Sequence, residues 1–165
     1  MSVQPILEVL KKHYALHESL LTLSKKKTEA LKSDDIDTIQ TLLVQERKHV
    51  QGINGMESKR AQLVGEWFRF HSPQTEEYTV SAMLRVLPEG EEKQALADLL
   101  ESFVMVLAQL KEQEQLNTEL TQQSLQFVDL TLNMIQPQTK NMNYGNPKGQ
   151  QAKSESNRSM FDSKA

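Results

Sequence analysis

No cysteine occurs in the 165 residues. Disulfide frameworks, thiolate metal centres and cysteine nucleophiles are therefore excluded, and a thiol-free chain suits a reducing compartment. Glycine (6) and proline (5) are scarce, which argues against a turn-rich β-sandwich. Aromatic residues make up only 5%, too few to fill a deep globular core. The longest strictly apolar run is Val104–Ala108, preceded by Phe103, far short of the roughly 20 residues that a bilayer span needs. The segment Met1-Ser2-Val3-Gln4-Pro5 lacks the basic and apolar regions of a secretory signal. The net charge of −3 does not favour nucleic acid. What remains is Leu, Gln, Glu, Lys, Ser and Thr, the composition of long helices that each bury one stripe. A soluble, intracellular, mostly helical chain is the expectation.

The first helix is expected from about Pro5 to Lys32, with proline tolerated in the opening turn. Leu7, Leu10, Tyr14, His17 and Leu21 recur at spacings of three and four and share a face. Ser33-Asp34-Asp35 then favours a turn and a new cap. The second helix should span about Asp35 to Phe70, with Ile36, Ile39, Leu43, Val50, Ile53, Val64 and Trp67 on one stripe. Gly52 and Gly55 weaken it locally and invite a bend. His71-Ser72-Pro73 ends it.

A short helix is expected over about Thr75–Leu87, then Pro88-Glu89-Gly90 as punctuation and a last helix from Glu91 to Gln136. So long a helix implies a long antiparallel coiled coil or helical hairpin bundle, with the short helix as an addition. Leu96, Leu100, Phe103, Leu107 and Leu110 form a coiled-coil seam. Residues 111–124 have only Leu116 and Leu120 as apolar members and should be mostly solvated. Between 125 and 135 two stripes appear: Leu125, Val128, Leu132 and Ile135, and beside them Phe127, Leu130 and Met134. One partner helix covers one stripe, so a second partner is needed. That partner is either a core or homodimer seam, or a bound client.

Residues 138–165 have the composition of a flexible polar tail and carry +3, leaving −6 on residues 1–137. The organisation expected is thus a helical domain, 1–137, and a tail, 138–165, dispensable for folding. The tail could lie against the acidic body.

Nothing in the sequence assembles a catalytic centre, so no enzyme activity and no cofactor are expected. His13 and His17 stand one helical turn apart but have no third metal ligand at a fixed spacing. The simpler arrangement has His17 in the stripe and His13 half exposed. Glu46-Arg47-Lys48-His49 matches half of a di-iron bundle motif, and no second Glu-x-x-His exists. A metal-dependent bundle enzyme is therefore the weakest of the alternatives. Lys25-Lys26-Lys27 reads as a solvated basic face.

One pattern is more specific than a heptad. Leu20-Leu21-x-Leu23 leads to Lys27, Ala30-Leu31, Asp35-Ile36, Ile39, Leu42-Leu43 and Glu46, then to Val50, Ile53, Glu57 and Arg60. This run resembles the N-terminal half of FlgN-type flagellar export chaperones. The long last helix, Asn143-Tyr144-Gly145 and the ending Met160-Phe161-Asp162-Ser163-Lys164-Ala165 are similar to Firmicute members. The resemblance implies a cytoplasmic all-α coiled coil that binds the hook-filament junction proteins FlgK and FlgL and delivers them to the export gate or export ATPase. It implies client binding toward the C-terminal part of the chain, which directs attention to Leu120, Leu125, Phe127, Val128, Leu130, Leu132, Met134 and Ile135. The alternative is a self-associating structural or adaptor coiled coil, a homodimer without a secreted client.

Overall fold

The computed structural model describes residues 2–135. Four helices follow in order: α1 (Gln4–Lys32), α2 (Ile36–His71), α3 (Val80–Val86) and α4 (Glu91–Ile135). Two units are distinguished, Met1–Gln122 and the part from Gln123 onward. The expected division at 137/138 and the polar tail lie outside the described residues.

The helix ends follow local chemistry. Pro5 lies in the first turn of α1, and the Ser2 hydroxyl accepts from Gln4 N–H at 3.1 Å. Asp34 adopts a positive φ of 54° in the turn between α1 and α2, where aspartate tolerates the left-handed region. Asp35 caps α2 by accepting from Thr38 N–H at 3.1 Å and from the Thr38 hydroxyl at 2.6 Å. These bonds hold the Asp35 carboxyl below its ordinary range. Thr79 caps α3 by accepting from Ala82 N–H at 3.1 Å, so the short helix starts later than its apolar residues alone suggest.

The first unit is an up-down-up bundle. Ser19 meets His49 and Lys27 meets Glu46, so α1 and α2 run antiparallel. Phe103 touches His13 and His17, whereas Ser24 meets Glu114, so α4 runs parallel to α1. A large apolar core joins all four helices through Ile6, Leu7, Leu10, Val64, Trp67, Phe68, Met83 and Leu96. A smaller cluster of Leu23, Ala30 and Leu42, with Ile39 against it, closes the turn between α1 and α2. Despite Gly52 and Gly55, α2 is assigned as one helix. A Cβ at Gly52 would stand 3.4 Å from the end of the Leu16 side chain, an ordinary van der Waals contact, so the packing of α1 does not require glycine there.

Three stripes differ from expectation. In α2, Ile36, Leu43 and Val50 are exposed and Leu42 is buried. The expected stripe therefore turns partly outward, because α1 packs on the side of α2 that carries Ile39 and Leu42. In α4, Val106 is buried and Leu107 exposed, while Leu100 packs partly buried against the core, so the seam is Leu96, Leu100, Phe103, Val106 and Leu110. In α1, His13 is buried together with His17 and is not half exposed.

Candidate functional site

Residues 125–135 form the last turns of α4. Leu125, Phe127, Val128, Leu130, Leu132, Met134 and Ile135 are all exposed, from 45% at Leu132 to 86% at Met134. Both apolar stripes of this segment are therefore open. The i, i+3 and i+4 spacing that built them comes from helix geometry, and the helix forms here: the Thr131 hydroxyl donates to the Phe127 carbonyl at 2.9 Å. Leaving such a surface in water forgoes about 1.5–3 kcal/mol per large side chain. Leu120 differs from the other seven, being half-buried. Polar residues interleave the stripes. Gln126, Asp129 and Asn133 line an open depression beside Leu130.

Earlier along α4, before Gln122, the helix meets α1 through polar side chains. Ser24, Thr28 and Asn117 are buried at 0%, 3% and 3% exposure. Asn117 donates through its amide nitrogen to the Ser24 carbonyl at 3.0 Å and to the Ser24 hydroxyl at 3.1 Å. The Thr28 hydroxyl lies 2.5 Å from the Asn117 amide oxygen, and Gln113 donates to Thr28. The Ser24 hydroxyl donates to Glu114 at 2.6 Å. Lys27 sits between carboxylates of two helices, 2.8 Å from Glu46 of α2 and 3.1 Å from Glu114 of α4. Burial alone would lower the Lys27 pKa, but the two carboxylates outweigh it and hold the ammonium above its ordinary value.

Sequence reasoning missed this network. It expects residues 111–124 to be mostly solvated, which holds apart from Gln113, Glu114, Asn117 and Leu120, and it expects Lys25-Lys26-Lys27 on a solvated face. Lys25 and Lys26 are exposed as expected, while Lys27 turns inward. The available signal was spacing: Ser24 and Thr28 continue the Leu10, His13, His17, Leu21 stripe, and Asn117 continues Phe103 and Leu110 at seven-residue steps.

The candidate metal ligands are engaged otherwise. His17 Nδ1 lies 2.9 Å from the His13 carbonyl, and both imidazoles pack on Phe103 with ring centres 4.9–5.1 Å away. Burial is the main cause that lowers the His13 pKa; His17 and Arg60 add to it, and Glu57 opposes it. Glu46 faces Lys27, and His49 meets Ser19 at 2.7 Å, so the Glu-x-x-His pair does not converge. Among the described residues no three His, Asp or Glu side chains are grouped to hold a metal ion. Among them, too, no helix is long and apolar enough to cross a membrane.

The model of the FlgN protein family matches residues 1–153. The chain belongs to the FlgN family. It is also similar to a Bacillus subtilis (strain 168) protein described as uncharacterized protein YvyG, at 36% identity over 165 residues and the full length of both chains. No solved structure matches it. FlgN proteins are chaperones and not enzymes, so membership assigns a flagellar export chaperone kind of role. The relevant chemistry is thus reversible apolar and hydrogen-bonded contact with another polypeptide.

Proposed function

We propose that this protein binds the hook-filament junction proteins FlgK and FlgL in the cytoplasm, keeps them from assembling early and delivers them to the export apparatus. The client site in this reading is the apolar surface of α4 between Leu125 and Ile135. The observation that carries it is that seven large apolar side chains on two stripes stand open together. A segment that is unfolded before assembly and forms an amphipathic helix on contact suits such a surface, because helix-in-groove docking uses i, i+3, i+4 and i+7 anchors. Ordering the client costs conformational entropy, which the apolar burial offsets. Family membership supports the chaperone role, and the resemblance to FlgN-type chaperones supports the choice of FlgK and FlgL.

Titration of the purified chain with purified FlgK and FlgL tests this directly. Saturable binding is expected, with a negative heat-capacity change from apolar burial. Sedimentation of the chain alone separates the adaptor alternative. A tight homodimer that binds neither protein would replace the client reading with a self-associating one.

A further inference from the structure

The interface between α1 and α4 changes character along its length. In its first half Leu7 and Leu10 share a core with Leu96, and Phe103 packs on His13 and His17. In its second half the fully buried groups that cross between the helices are hydroxyls and an amide: Ser24, Thr28 and Asn117. We propose that this second half is a latch, which parts from α1 while the apolar first half stays closed.

The argument rests on what each group does when α4 leaves. Thr28 lies 3.1 Å from the Ser24 carbonyl, so its hydroxyl has an acceptor within α1. Lys27 keeps Glu46 of α2 at 2.8 Å, so no cation is orphaned. Glu114 is already 43% exposed in its side chain and passes readily into water. Asn117 and Ser24 exchange protein bonds for water bonds, which nearly balances. Helix α4 need not unravel, because its backbone bonds are internal. The first half has no such exchange available. Parting Phe103 from the two imidazoles, or Leu96 from Leu7 and Leu10, would expose apolar surface with nothing returned. One interface therefore joins a segment that is costly to open with one that is not, the condition for local opening below the global limit.

The absence of cysteine makes the test clean, since an introduced thiol is the only one in the chain. Ser24→Cys places a thiol in the latch and Val64→Cys places one in the apolar core, both at positions with 0% exposure. Reaction with a thiol reagent then reports opening. The thiol at 24 should react at least about tenfold faster than that at 64, and its rate should hardly respond to low urea, because local opening exposes little surface. Adding Thr28→Val and Asn117→Leu to the Ser24→Cys chain should slow its reaction by about tenfold or more, because the latch is then apolar. If Ser24→Cys does not fold, Thr28→Cys serves in its place, with Asn117→Leu alone as the apolar partner. Equal reaction rates at the latch and at position 64, with the same steep urea dependence, would overturn the proposal. So would an unchanged rate in the apolar-latch chain.

Discussion

Asn117 of α4 reaches the Ser24 backbone carbonyl of α1 at 3.0 Å, deep enough that neither residue is more than 3% exposed. A side-chain amide thus binds a helix carbonyl that already serves its own helix, and it fixes the register of two parallel helices. An apolar seam tolerates sliding by a turn. A buried amide does not, because one turn away its partners are gone.

Replacing Asn117 by alanine removes its bonds to Ser24 and Thr28, while the Ser24 hydroxyl keeps Glu114 and the Thr28 hydroxyl keeps the Ser24 carbonyl. No hydroxyl is orphaned, so a loss of about 0.5–1.5 kcal/mol in unfolding free energy is expected from urea denaturation. Thr118→Ala, one position along and exposed, should change stability by less than about 0.5 kcal/mol.

Lys27→Met removes the cation between Glu46 and Glu114. Glu46 is only 14% exposed in its side chain and is left as a buried unpaired charge, so a loss of about 3 kcal/mol is expected. Adding Glu46→Gln should recover part of it, because the charge is then gone. Lys26→Met on the exposed side should be nearly silent. Chemical denaturation of the four chains checks the set.

Acidification should destabilise the fold through His13. Its pKa is lowered in the folded chain from the ordinary value of 6.5, chiefly by burial. Well above that value the ring is neutral in both states and contributes no pH dependence. As pH falls through it, the unfolded chain takes up the proton first, so stability declines until the folded ring also titrates. His13→Leu should remove this component of the decline as pH falls through 6.5, while keeping the ring contact region apolar. A pH series of urea midpoints reads the difference.

The boundaries of the fold were legible because they rest on short-range chemistry. Ser33-Asp34-Asp35 marks a turn and a cap, Pro73 ends α2, and Gly90 precedes α4. Core membership was legible where one stripe met one neighbour, as at Leu96, Phe103 and Leu110. It failed at Ile36, Leu43 and Val50, because heptad spacing states which residues share a face and not whether another helix lies opposite. Ser24, Thr28 and Asn117 escaped notice for a different reason. Hydrophobic periodicity treats polar residues as solvent-facing, and a hydrogen-bonded layer pairs residues about 90 positions apart that no local pattern connects. At 125–135 the excess of apolar stripes was visible as composition. Whether those stripes were covered depended on the tertiary structure, and all seven side chains are open.

Binding of FlgK and FlgL to a Phe127→Asp/Leu130→Asp chain, measured by isothermal titration calorimetry alongside circular dichroism, tests the client site most directly. Both side chains are exposed, at 70% and 65%, so the variant should remain helical with an unchanged thermal midpoint. Its affinity for both clients should fall at least about tenfold, the loss expected when two large apolar anchors are replaced by charges. A folded variant that binds both proteins as tightly as the parent chain would contradict the assignment.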